Sequence, residues 1–136
     1  MAKIVYFTVT GQTKKFVQKI PHVERVEIKP QNPFLEVNEP FILVVPTYVA
    51  AMVEPVYDFL ETGDNVKYCA GLFGGGNRNF GGLFCFTVRD LAKEYQIPVL
   101  HDFEFQGSEY DVAKMEEELA QIESSNTKEE SNRNLF

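Results

Sequence analysis

Two runs of apolar residues, 4–7 (Ile-Val-Tyr-Phe) and 41–45 (Phe-Ile-Leu-Val-Val), contain no charged or small polar residue. A strand that is covered on one face alternates apolar and polar residues, whereas a strand that is buried on both faces is apolar throughout. We therefore predict that both runs are interior strands of a parallel sheet, with helices covering the two faces of that sheet.

Helical periodicity separates the strand-like runs along the chain. Apolar residues recur at a spacing of three and four over residues 84–95 and 112–122, and shorter helices are predicted around residues 16–20 and 56–60. The predicted strands cover residues 3–8, 23–28, 41–46, 66–73 and 97–105. This alternation predicts an α/β fold, namely a doubly wound, three-layer sandwich with a five-stranded parallel sheet.

The order of the strands predicts where a ligand binds. Residues 23–28 alternate apolar and charged side chains, which is typical of an edge strand with one solvated face. We therefore predict the sheet order 2-1-3-4-5. In such a sheet, ligands bind beyond the carboxyl ends of the strands where the winding reverses, which here is between strands 1 and 3.

Length and charge narrow the classes of function. The 136 residues provide one domain core, and the net charge of -7 disfavours nucleic acid as a partner, because binding the phosphate backbone requires a basic surface. No apolar run approaches the roughly 18 residues that a membrane span requires. The N-terminus enters a strand without the apolar segment of a signal peptide, so we expect a cytoplasmic protein.

Cysteine spacing and the polar C-terminus give two further expectations. Cys69 and Cys85 lie too far apart for a zinc knuckle or a CxxC motif, so we predict buried structural thiols and no metal site. Residues 124–136 are polar, have lost the helical pattern and contain no core-forming run before Leu135 and Phe136. We expect a domain of residues 1–123 and a disordered tail of residues 124–136.

The loop after the first strand has the composition of a phosphate-binding loop. It carries three threonines, and a glycine lets the backbone approach a ligand closely. Hydroxyls and free amides before a helix can bind a phosphate without arginine, although Thr13 could instead cap an ordinary strand-to-helix turn. The candidate residues are Thr8, Val9, Thr10, Gly11, Gln12 and Thr13.

The loop after the third strand is unusually apolar. Loops normally face water, so a flat ligand could cover this one; alternatively, it is the buried start of a helix with Met52 in the core. The candidate residues are Thr47, Tyr48, Val49, Ala50, Ala51 and Met52.

A glycine-rich segment, residues 74–82, follows the fourth predicted strand. It has five glycines in nine residues, and such a loop can place its amides against a planar ligand while Phe80 stacks on it. A flexible linker is the alternative interpretation. The segment lacks the Walker and GxGxxG patterns, which disfavours ATP and NAD. The candidate residues are Gly75, Gly76, Asn77, Asn79, Phe80 and Gly81.

These motifs resemble those of a known family. The Thr-x-Thr-Gly-x-Thr pattern of residues 8–13 resembles the phosphate loop of flavodoxins, which bind flavin mononucleotide (FMN). The more specific Gly-Asn-Arg-Asn-Phe-Gly sequence of residues 76–81 resembles the NrdI family, the flavodoxin-like activators of class Ib ribonucleotide reductase. Residues 40–48 and 97–104 are also similar to that family, and the resemblance extends over residues 3–122.

The resemblance implies a flavodoxin-like fold, FMN as the cofactor and a role for each loop. Residues 8–13 would hold the phosphate, residues 47–52 would lie along the flavin ring, and residues 75–77 would approach its reactive edge with Phe80 stacked on it. In the family, reduced flavin reacts with O2 to give superoxide or a related oxidant. That oxidant helps to generate the radical cofactor of the reductase's radical-bearing small subunit. The implied partners are this subunit, O2 and an unidentified flavin reductant.

Two other functions remain open at this point. A general one-electron carrier of the flavodoxin type would use the same phosphate loop, and a flavin-free α/β interaction domain would share the fold alone. As an activator of ribonucleotide reductase, the protein would be a redox accessory protein, with the chemistry carried by the flavin and no catalytic side chain.

Overall fold

Parallel strands and helices alternate along the chain, as the two apolar runs predict. A computed structural model describes residues 2–77 and 85–134, with side chains described through residue 125. The strands are β1 (Lys3–Tyr6), β2 (Arg25–Glu27), β3 (Phe41–Val45), β4 (Cys69–Gly76) and β5 (Val99–Glu104). The helices are α1 (Gln12–Gln18), α2 (Glu54–Leu60), α3 (Asn65–Tyr68), α4 (Phe86–Tyr95) and α5 (Glu109–Asn134), with a 3-10 turn at Ala50–Met52.

The five strands form one parallel sheet in the order β2-β1-β3-β4-β5, which confirms the predicted order. Strand β1 lies near the centre of the sheet, with Val5 opposite Val26 of β2 and Leu43 of β3. All five residues of β3 are buried, whereas β2 at the edge is partly exposed. Continuous apolar runs therefore correctly identified the interior strands.

Two apolar layers cover the sheet, one on each face. Val5 packs in the layer formed with α2 and α4, which includes Phe59. Ile4 points to the opposite face and packs in the layer formed with α1 and α5, which includes Phe16 and Met115. Successive side chains of a strand point to opposite faces, so each interior strand contributes to both layers and the predicted three-layer sandwich is confirmed.

The fourth strand lies three residues later than predicted, over Cys69–Gly76 instead of 66–73. The predicted glycine-rich loop therefore begins inside the sheet. A Cβ atom at Gly71 would lie 2.3 Å from Leu100 Cδ1, and one at Gly74 would lie 2.5 Å from Val88 Cγ1. Glycine is required here because β5 and α4 pack closely against the strand, a constraint that local turn propensity does not reveal.

The first and last helices also differ from the prediction. Helix α1 covers Gln12–Gln18 and so begins before the predicted residues 16–20, and α5 continues to Asn134 through the segment that was expected to be disordered. That segment contains no proline or glycine, so nothing in its backbone ends the helix after residue 123. The division of the chain at residue 123 stays a prediction. None of the helices in the described part of the chain is long and apolar enough to cross a bilayer.

Asn65, at the start of α3, connects three segments beneath the sheet. Its side chain is buried, and its amide nitrogen donates hydrogen bonds to the carbonyl oxygens of Leu35 (2.9 Å) and Phe59 (2.7 Å). Its Oδ1 accepts a hydrogen bond from the backbone N–H of Val37 at 2.9 Å. One side chain thereby satisfies three backbone groups of the long β2–β3 connection and of α2.

Replacing Asn65 with alanine is expected to lower the free energy of unfolding by about 3 kcal/mol, because buried backbone groups lose their partners. Chemical denaturation of both proteins measures the difference. The matched control is Asn38→Ala at an exposed position of the same connection, with an expected change within about 0.5 kcal/mol. Equal stability of the two variants would contradict the role assigned to Asn65.

Candidate functional site

A cavity of about 580 Å³ opens at the carboxyl end of the sheet, where β1 and β3 lie side by side. Its volume is typical of small-molecule sites, which range from about 300 to 1,000 Å³. Residues that follow β1, β3 and β4 all contribute to it, as expected for a switch point between strands 1 and 3. The lining residues are Thr8, Val9, Thr10, Gln12, Thr13, Pro46, Thr47, Tyr48, Val49, Met52, Gly75, Gly76, Asn77, Phe86 and Phe105.

The loop after β1 forms one end of the cavity. The hydroxyl of Thr8 accepts a hydrogen bond from the backbone N–H of Gly11 at 3.0 Å, which closes the turn before α1. Gly11 is the residue that precedes the helix and has a φ of 94°, a left-handed conformation that favours glycine. It shapes the turn without lining the cavity.

The interpretation of Thr13 as a helix cap is wrong. Thr13 lies inside α1, one residue after its start, and the residue that caps the helix is Gly11. The side chain of Thr13 is buried and lines the cavity together with Thr8 and Thr10. Three threonines therefore meet at one end of the cavity, where their hydroxyls can donate hydrogen bonds to an anionic group.

Hydrogen bonds hold the loop after β3 in place. The Thr47 hydroxyl donates to the carbonyl oxygen of Gly75 at 2.7 Å, which joins this loop to the end of β4. The hydroxyl of Thr87, in α4, accepts from the backbone N–H of Tyr48 at 3.0 Å and donates to its carbonyl oxygen at 2.9 Å. The loop is thus attached to the elements on both sides of it.

The apolar side chains of this loop face outward. Val49 is 61% exposed and Met52 is 45% exposed, and both line the cavity. Ala50 and Ala51 are exposed in the 3-10 turn and do not line it. The alternative of a buried helix start with Met52 in the core is therefore wrong, because the loop leaves its apolar surface open at the cavity.

The glycine-rich segment contributes the third side of the cavity. Gly75, Gly76 and Asn77 line it, and a Cβ atom at Gly75 would lie 3.2 Å from the ring of Phe103. The predicted site residues Asn79, Phe80 and Gly81 lie outside the described residues. A side chain at Gly75 would therefore require the Phe103 ring to shift by a few tenths of an ångström.

Three lining residues were not among the candidates from the sequence: Pro46, Phe86 and Phe105. Pro46 was assigned to the third strand, and Phe86 to the interior of a helix that in fact begins at that residue. Phe105 follows β5, and the rule that ligands bind at the carboxyl ends of parallel strands could have identified it.

The described lining residues include no aspartate, glutamate, lysine, arginine or histidine.

The thiol of Cys85 lies 3.4 Å from the carbonyl oxygen of Gly74. Burial raises the pKa of Cys85 to about 11, and the negative charge of Asp102 contributes in the same direction. This thiol is protonated at neutral pH and is not a nucleophile.

The buried cysteines and the absence of charged side chains among the described lining residues limit what the cavity can do. Cys69 and Cys85 are both free and buried, as predicted. In the described residues, no cluster of three histidine, cysteine or acidic side chains could hold a metal ion. Hydroxyls and amides at one end and apolar walls elsewhere suit a ligand with a phosphate and a planar ring, bound without covalent attachment.

Comparison with solved structures agrees with this fold. A short-chain flavodoxin associated with a non-canonical PDU bacterial microcompartment superposes with a TM-score of 0.64 at 19% identity, covering 90% of this chain and 98% of its own. The fold is therefore flavodoxin-like, as predicted.

The family is shown by the sequence comparisons. A NrdI-like protein of Streptococcus pyogenes is 31% identical over 140 aligned positions, which cover 88% of this chain and 90% of that protein. The family model described as NrdI flavodoxin-like matches residues 4–117. The chain therefore belongs to the NrdI family of flavodoxin-like proteins.

Proposed function

We propose that this chain binds FMN non-covalently and that its reduced form activates the radical-bearing small subunit of a class Ib-like ribonucleotide reductase. The observation that carries the proposal is the cavity at the switch point of a NrdI-family chain, with three threonines at one end, apolar residues along its sides and no charged side chain among its described lining residues. We assign the protein to the cytoplasm, where the reductase partner would also be found.

The threonine end of the cavity is assigned to the phosphate. Thr8, Thr10 and Thr13 would supply hydroxyl donors, and Gly11 allows the turn that leads into α1. The free backbone amides at the start of that helix would add further donors. Hydroxyl and amide donors bind a phosphate through hydrogen bonds that are strengthened by its charge. The exposed Lys14 and Lys15 on the next turn of the helix add positive charge nearby.

The remaining walls are assigned to the flavin ring. Tyr48, Val49 and Met52 would lie along one side of it, and Gly75, Gly76 and Asn77 would approach its edge. The proposed site also includes Asn79, Phe80 and Gly81 of the glycine-rich segment. Apolar and aromatic walls bind such a ring through burial and stacking.

The chemistry of the proposed reaction would come from the cofactor, which when bound and reduced would supply electrons to O2 to give superoxide or a related oxidant for the small subunit. The protein supplies binding and orientation. An unidentified reductant must return electrons to the flavin. Membership of the NrdI family and the Gly-Asn-Arg-Asn-Phe-Gly sequence of residues 76–81 support this role over that of a general electron carrier.

Removing the hydroxyl of Thr10 is expected to weaken FMN binding about tenfold while leaving riboflavin binding unchanged, because riboflavin lacks the phosphate. Titration of the apoprotein with each flavin, followed by quenching of flavin fluorescence, measures both dissociation constants. Thr62→Ala is the control, since the Thr62 hydroxyl bonds to Asp58 at the end of α2, outside the cavity. A Thr10→Ala variant that loses affinity for both flavins equally would refute the assignment of this end to the phosphate.

A carboxylate placed at Met52 is expected to lower the potential for full reduction of bound FMN by on the order of 50 mV, because it repels the negative charge of the reduced flavin. Spectroscopic redox titration of Met52→Glu and of its neutral counterpart Met52→Gln isolates the effect of charge. Equal potentials in the two variants would show that residue 52 lies away from the ring.

Reduced, FMN-loaded protein exposed to O2 is expected to generate the radical in its cognate small subunit, measured by electron paramagnetic resonance and by reductase activity. Superoxide dismutase added during the reaction should lower the radical yield. If the subunit stays inert while the protein still passes electrons to other acceptors, the function is that of a general carrier. A protein that binds no FMN would instead be a flavin-free interaction domain.

A further inference from the structure

Phe105, the residue that follows β5, has an unfavourable backbone conformation. Its φ is 53°, in the left-handed region that L-residues with large side chains rarely adopt, and its side chain is 52% exposed at the wall of the cavity. A half-exposed ring contributes little to the core, so packing does not account for the unfavourable φ. Residues held in such conformations cluster at ligand sites, where the surrounding structure imposes the geometry.

Backbone contacts fix the loop that carries this ring. The backbone N–H of Phe105 donates to the carbonyl oxygen of Gly76 at 3.1 Å, which places Phe105 beside the glycine-rich side of the cavity. Gly107 also has a positive φ, 75°, and a Cβ atom there would lie 2.5 Å from Cδ1 of the buried Phe16. The loop therefore passes directly over α1, with no room for a side chain at residue 107.

A lysine just after α1 contacts the same loop from outside. The ammonium group of Lys19 donates hydrogen bonds to the carbonyl oxygens of Gln106 and Gly107, each at 3.1 Å. Lys19 follows the last residue of α1, the helix whose other end adjoins the threonines of the cavity. Hydrogen bonds from a charged donor to two successive carbonyls hold the loop in one conformation.

We propose that Phe105 forms an aromatic wall for the ring of the bound cofactor and that Lys19 is a positioning residue that holds this wall in place. The inference rests on the proposed binding of FMN. It adds to that function a ring-binding residue from β5 and a lysine that acts at the cavity through the backbone of residues 106 and 107. Lys19 itself does not line the cavity.

The variant Phe105→Asn separates ligand binding from packing. Asparagine adopts the left-handed conformation more readily than phenylalanine, so the unfolding midpoint of the apoprotein is expected to equal or exceed that of the wild type. The affinity for FMN is expected to fall about tenfold, because the stacking surface is lost. The control is Phe34→Asn, at a phenylalanine that is exposed outside the cavity, and its FMN affinity should match the wild type.

Lys19 is tested by Lys19→Met, by the conservative Lys19→Arg and by Lys29→Met as an exposed control with the same loss of charge. In the apoprotein, amide hydrogen exchange at Phe105 and Gly107 is expected to be about tenfold faster in Lys19→Met, because the loop opens more readily. FMN affinity should fall about threefold. Arginine should restore both values, and Lys29→Met should change neither.

The outcomes separate this inference from the proposed function. A wild-type protein that fails to bind FMN overturns both. If the wild type binds FMN and Phe105→Asn binds it equally well, or loses apoprotein stability without losing affinity, the aromatic wall is refuted and FMN binding stands. If exchange at Phe105 and Gly107 is unchanged in Lys19→Met, the positioning role of Lys19 is refuted whatever the flavin result.

Discussion

The pairing of β1 with β3 is the contact on which the rest of the structure depends. Each strand is buried on both faces, so the pair contributes to both apolar layers at once. The chain winds outward from this pair in opposite directions, to β2 on one side and to β4 and β5 on the other. The loops that leave the two strands must therefore diverge, and the cavity is the space between them.

The sequence predicted the parts of the fold that are governed by burial within single segments. In these segments the pattern of apolar residues follows directly from which faces are buried. Examples are the apolar runs of β1 and β3, the alternating residues of β2 and the helical periodicity of α4. The prediction failed at the end of β4, where Gly74, Gly75 and Gly76 lie in the sheet and Val88 and Phe103 pack against the first two of them. Such a constraint arises from residues that are distant in sequence. A prediction that uses only the neighbouring residues therefore assigns the same glycines to a loop.

The same distinction applies to the site. Two of the three candidate loops supply lining residues over much of their length, because hydroxyl-rich and apolar composition is a property of the loop itself. Phe86 and Phe105 were missed because each looks like an ordinary helix or strand residue, and their place at the cavity depends on where α4 begins and β5 ends. The conformation of Phe105 is likewise visible only in three dimensions.

The paired hydrogen bonds between the Thr87 hydroxyl and the backbone of Tyr48 have a consequence for how this cavity can change. Tyr48 and Phe86, next to Thr87, both line the cavity, and one hydroxyl sets the separation between their backbones. Because these bonds use only backbone atoms of Tyr48, a substitution at Tyr48 or Phe86 can change the chemical character of the cavity lining without removing the link between the loop after β3 and α4. The position of the loop and the chemistry that it presents to a ligand thus depend on different residues, so each can vary without the other.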